Sequence, residues 1–257
     1  MPAATPFLRF WRWFMPHPIL NPASVLWIGP RRRLFPSREA KHPFDRTHRV
    51  DTGGLIYADG LSTGHEHDRH SAGYYATAPS LFRGSVELWR ETLTRTGCAL
   101  EDYTLVDIGC GKGRVLMLAT EYTFREIVGI ELNPGLVKIA RSNLRKWMRR
   151  TRAKPPVRII QGDALTAPLP DGPVLLFYFN SFERELTEMW LPRLGELATH
   201  RSSPVDLIYV HPEFDALVRK AGMRVLKEAD IWFSEEDAEA DVFGVTSDQC
   251  AIYRVAS

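Results

Sequence analysis

Short apolar runs recur along the second half of the chain: TLVDIG (104–109), EIVGIE (126–131), VRIIQ (157–161), VLLFYF (174–179) and VDLIYVH (205–211). They lack polar alternation, as expected of strands buried on both faces. Between them apolar residues return at helical spacing. Asn133 is a good N-cap and Pro134 suits the first helical position; Val137, Ala140, Leu144 and Trp147 or Met148 then mark one buried stripe. Another helix is expected over 80–96, burying Leu81, Val86, Leu88, Trp89 and Leu93. Strands alternating with helices specify an α/β fold around a mostly parallel, doubly wound sheet with right-handed crossovers. The end of the chain differs. MRVLKEADIW and QCAIYRVA carry no helix-length pattern between them, which predicts a final antiparallel pair at the sheet edge.

The first 73 residues read as an N-terminal extension, basic, aromatic and loop-rich, leaving 74–257 for the main domain. Residues 1–50 hold nine Lys/Arg against Glu39 and Asp45, and residues 141–158 hold eight Lys/Arg and no acid. Net charge is only +2, so a nucleic acid or an anionic membrane surface would have to bind through local basic segments, 31–33 and 141–158. No apolar run approaches the roughly 18 residues of a membrane span. In PFLRFWRWFMPHP, Arg9, Arg12 and two prolines spoil a signal-peptide core, leaving a packed helix or an interfacial anchor. Cys98, Cys110 and Cys250 form no paired pattern, so a reducing, cytoplasmic setting is expected, with peripheral membrane contact as an option.

Gly109, Gly111 and Gly113 follow the first strand as G-x-G-x-G. A dinucleotide loop needs its third glycine at 114, which is Arg114, and a Walker loop needs Ser or Thr after Gly111-Lys112. Asp107 just before the loop would repel a pyrophosphate and suits an ammonium group. Glu131, ending the second strand, can accept from ribose hydroxyls, and Asp163, after the third, from an adenine amino group. Ammonium, ribose and adenine in that order describe S-adenosylmethionine (SAM), with S-adenosylhomocysteine as product.

VDIGCGKGR, IVGIELNPG, IIQGDAL and LLFYFNSF resemble successive motifs of the class I, seven-strand SAM-dependent methyltransferases. The resemblance covers about 74–257. It implies a sheet of order 3-2-1-4-5-7-6 with the last strand antiparallel. It also implies that the backbone of Gly109–Gly113 lies against SAM and that Glu131 binds ribose. NSF at 180–182 departs from the Asn/Asp-Pro-Pro-aromatic motif of nucleobase methyltransferases and is similar to the Asn-Asn-Phe of seven-strand protein-lysine methyltransferases. GYYATAPSLF (73–82) is similar to the lead-in of that group, which implies a lid over the methionine end of SAM from Tyr75 or Tyr74 and Thr77.

The expected activity is therefore methyl transfer from SAM to nitrogen, with a protein lysine as the acceptor the resemblance points to. Asn180, at the cofactor's reactive end, is expected to orient the acceptor, with Phe182 and Tyr75 walling the methyl channel. RNA or small-molecule methylation is the alternative within enzymes, and a SAM-binding scaffold without turnover the alternative outside them. His65, His67 and His70 in HEHDRH have no carboxylate or cysteine partner at a recognisable spacing, so no metal is expected there.

Overall fold

The computed structural model describes residues 42–93, 97–149 and 155–255. The arginines at 31–33, the aromatic stretch near residue 10 and part of the 141–158 basic run lie outside the described residues. The described residues form one compact unit.

Its centre is a seven-stranded sheet, ordered β5-β4-β3-β6-β7-β9-β8. The strands are β3 (Thr104–Ile108), β4 (Glu126–Glu131), β5 (Val157–Gln161), β6 (Val174–Tyr178), β7 (Val205–Val210), β8 (Arg224–Trp232) and β9 (Ser247–Arg254). Counted within this sheet, the order is 3-2-1-4-5-7-6. All pairings are parallel except those of β9, which runs antiparallel to both β7 and β8. The fold class and the order implied by the motifs are thus the observed ones.

Side chains alternate across each strand, so the apolar runs feed two cores at once. Leu105, Ile127, Leu175, Phe177 and Ile208 face a layer built by α2 (Pro79–Arg90), α3 (Arg114–Ala119) and α4 (Pro134–Met148). Val106, Val128, Leu176 and Leu207 face α5 (Arg184–Thr199) and α6 (Asp215–Lys220). Asn133 caps α4 as its sequence position suggests, accepting from Gly135 and Leu136 N–H.

Two expectations need correction. The helix expected over 80–96 ends at Arg90; residues 94–96 lie outside the described set. The β8–β9 connection is not helix-free. It holds α7 (Glu235–Ala240), whose Ser234 cap accepts from Asp237 N–H and whose first turn is acidic. Capping and macrodipole chemistry specify this helix where hydrophobic period does not.

Residues 42–73 pack into the same unit. α1 (Pro43–His48) leads to β1 (Leu55–Ile56), which pairs antiparallel with β2 (Tyr74–Tyr75). The residue that excludes a dinucleotide loop binds this segment. Arg114 is buried and donates to Thr52 Oγ1 (2.7 Å) and to the Thr77 carbonyl (3.1 Å), with Asp45 3.7 Å away. Asn143 of α4 bonds both the N–H and the carbonyl of Asp51.

Candidate active site

The cleft opens over the carboxyl ends of β3, β4, β5 and β6, where ligands of open α/β sheets bind. Asp107, Gly109, Gly111, Glu131, Asp163, Tyr75, Thr77 and Phe182 all line it, so the fold brings eight expected residues together.

The glycine loop is shaped by what presses on it. Gly109 and Gly111 have φ of +73° and +51°. A Cβ on Gly109 would stand 2.5 Å from Ser181 Oγ, and one on Gly111 would stand 2.3 Å from the Tyr74 ring. Tyr74 is fixed there by its hydroxyl, which donates to the Thr52 carbonyl. Ser181 Oγ donates to the Ile108 carbonyl at 2.6 Å. Tyr74 and Ser181 therefore hold the loop from either side.

Two strand-end acids differ in their partners. Glu131 accepts from Gly111 N–H and Asn133 N–H, each at 2.8 Å. Burial raises its pKa, although those two N–H groups pull the other way. Asp107 is 3% exposed, and its Oδ2 is buried without a hydrogen-bond partner. Burial, then the nearby Glu131, pushes its carboxyl well above the usual range. An unpartnered buried carboxylate oxygen is costly unless a ligand completes it.

At the other end of the cleft, aromatic groups converge. Tyr75 donates to Asp241, packs edge-on against Phe179 and lies tilted against Phe243. Its phenol is shifted upward by burial and by Asp241, so it stays neutral. Phe182 shows one edge to the cleft while its ring packs on Tyr178 and Trp190.

Two expected residues do not line the cleft. Gly113 sits under α4, where a Cβ would stand 3.2 Å from Ala140; it permits helix packing. Asn180 is 2% exposed and has φ of +43°. Its Nδ2 donates to the His211 carbonyl (2.6 Å) and its Oδ1 accepts from Tyr209 O–H (2.7 Å). Both ends of its amide thus tie β6 to β7, which corrects the expectation that this side chain orients an acceptor. Ser181 and His67 were missed as lining residues, and Tyr74, expected only as an alternative to Tyr75, lines the cleft together with it. Their contacts join segments far apart in the chain, although Ser181 at least follows the signalled end of β6.

A glycine loop between two strand-end acids thus lines a cleft at the carboxyl edge of an α/β sheet. Residues 105–200 match the family described as a methyltransferase domain. Among similar proteins is the polyamine aminopropyltransferase of Sulfolobus acidocaldarius, 28% identical over 125 residues, covering 41% of this chain and 41% of that protein. The chain thus spans less than half the length of that curated relative. Similar solved structures include a SAM-dependent methyltransferase from Aquifex aeolicus (15% identity, TM-score 0.47, covering 69% of this chain and 92% of that one). Another is the precorrin-6y C5,15-methyltransferase from Geobacter metallireducens (18% identity, TM-score 0.44, 66% and 88% covered). The residues present fit SAM, the cofactor that the motif resemblance implies: Asp107 Oδ2 is buried without a hydrogen-bond partner, and Glu131 lies beside the loop with its two oxygens accepting from Gly111 and Asn133 N–H.

Proposed function

We propose that this protein transfers the methyl group of SAM to a neutral amine, with a protein lysine as acceptor. The carrying observation is the contrast between the two ends of the cleft. Asp107 and Glu131 supply carboxyl groups beside the glycine loop. The end walled by Tyr75, Phe179 and Phe182 presents a neutral phenol, Tyr75, whose proton is committed to Asp241. When bound, SAM supplies a methyl carbon activated by a sulfonium. A neutral amine can attack such a carbon without first losing a proton to a strong base, whereas a hydroxyl benefits greatly from one. Alignment and exclusion of water then carry most of the acceleration.

Asp107 holds the ammonium, Glu131 the ribose, and Gly109 and Gly111 admit the cofactor to the backbone. Asp163 borders the nucleoside end, with Oδ1 engaged by Leu165 N–H. Tyr75, Thr77 and Phe182 confine the acceptor. Asn180 supports this end indirectly, by fixing the ends of β6 and β7.

The test is incubation with methyl-labelled SAM and cell lysate, followed by fractionation and acid hydrolysis of the protein. Methyl-lysine is expected. Label confined to RNA or to small molecules would replace the acceptor. S-adenosylhomocysteine binding without any turnover would favour the scaffold reading.

A further inference from the structure

We propose that His65, His67 and Asp163 form a binding site for one divalent transition-metal ion at the rim of the cleft beyond β5. The sequence shows the histidines without a carboxylate partner; the fold brings one from 96 positions further on. The three residues each present a ligand atom, all within 4.8 Å of one another, and all three are partly buried. His67 Nδ1 lies 3.2 Å from Asp163 Oδ2, their side chains 16% and 12% exposed. Yet His67 Nδ1 makes no hydrogen bond. The two atoms are close without being aligned as donor and acceptor. Their spacing is that of two ligands on one tetrahedral ion, about 3.3 Å apart for bonds of about 2.0–2.1 Å.

The surroundings preset this arrangement. Asp163 Oδ1 accepts from Leu165 N–H at 2.9 Å, which turns Oδ2 toward His67. The histidine loop is wound around Asp68. That carboxylate accepts from Thr63 N–H (2.6 Å), Thr63 Oγ1 (2.8 Å), Gly64 N–H (2.7 Å), His65 N–H (3.1 Å) and Ser62 Oγ (3.2 Å). His65 Nδ1 accepts from His67 N–H at 3.2 Å, and the two rings stand 5.0 Å apart. Carboxylates that orient ligand-bearing segments in this way are a regular feature of metal sites.

Two imidazoles and one carboxylate suit zinc, iron(II) or cobalt(II) and disfavour magnesium and calcium, which take oxygen ligands. Three protein ligands leave a position for water. The ion would cross-link the 62–70 loop to the turn after β5. A second group, His70, Glu183 and Glu185, is looser: His70 Nδ1 is 3.7 Å from Glu185, whose side chain is 61% exposed.

The test uses full-length, tag-free protein stripped with a chelator, titrated with Co²⁺ and then Zn²⁺. One equivalent of Co²⁺ is expected to give the visible absorption of a four- or five-coordinate site, and Zn²⁺ to displace it. His67→Ala and Asp163→Asn should each weaken binding at least tenfold, while His70→Ala leaves it unchanged. Thermal melts of the metal-free variants check folding, and His65→Gln serves if His67→Ala does not fold. No stoichiometric binding, binding that survives these substitutions, or loss only with His70→Ala would overturn the proposal. S-adenosylhomocysteine binding is measured separately on the metal-free protein, so failure of the methyltransferase reading leaves this outcome legible.

Discussion

In the proposed function, Asp107 trades stability for binding. Its buried oxygen has no partner, and its carboxyl takes up a proton more readily in the fold than in the unfolded chain. A carboxyl raised in this way supports the fold below its unfolded value, and that support is lost as pH rises through the folded value. The ammonium of the cofactor needs the ionised form. Affinity for S-adenosylhomocysteine is therefore expected to climb with pH from the ordinary carboxylate range upward, with proton release seen by calorimetry in buffers of different ionisation enthalpy. Asp107→Asn should raise the melting temperature of the free protein at neutral pH. The same change should weaken S-adenosylhomocysteine by ten- to a hundredfold, in line with about 1.5–3 kcal/mol for a charged hydrogen bond. A variant that melts lower and binds equally well would remove this role. At Gly111, alanine meets both a left-handed backbone and the Tyr74 ring. Gly111→Ala is expected to cost about 1–3 kcal/mol in urea unfolding and to displace the roof over the loop.

Among elements, helix capping separates what a local pattern can carry from what it cannot. α4 is capped by Asn133, its own neighbour, and α7 by Ser234. α2 begins after Ala78, which has no capping side chain. Its missing acceptor comes from Asp237 in α7, which accepts from Ser80 N–H at 2.6 Å while His42 lies 3.4 Å away. Burial alone would raise the Asp237 carboxyl, but the bonds from His42 and Ser80 outweigh it and hold it at about 2. Its contribution is full above the unfolded carboxylate value and disappears as pH falls toward about 2. Asp237→Ala is expected to cost about 1–2 kcal/mol at neutral pH, and much of that difference should vanish in acid unfolding experiments. Arg114 has a similar long reach. Replacing it with Met leaves the buried Asp45 carboxylate without its counter-charge and the Thr77 carbonyl without its donor, and a loss of about 3–5 kcal/mol is expected in thermal or urea unfolding.

Among the described residues, basic charge is concentrated along one helix and its C-cap. Lys138, Arg141, Arg145, Lys146 and Arg149 are exposed on α4. If this face meets a polyanion, binding of a short RNA duplex should be measurable at low salt and should fall steeply as salt is added. Absence of binding at low salt would leave the face to solvent. No described helix is long and apolar enough to cross a membrane.

The sheet was legible because its strands are buried on both faces and so are nearly uninterrupted apolar runs, and because Gly109, Gly111, Asp107 and Glu131 sit at fixed distances from those runs. By itself the sequence determined the α/β class, the strand order through its motifs, and the acidic, glycine-rich edge that lines the cleft. It did so because these features are local in the chain. The tertiary structure alone decided that Asn180 faces Tyr209 and His211 and not the cleft, that Gly113 serves helix packing, and that Tyr74 and Ser181 clamp the loop. It also decided that Asp163 stands beside His67. Each of these depends on where a side chain points after distant segments meet, and no spacing along the chain encodes that direction.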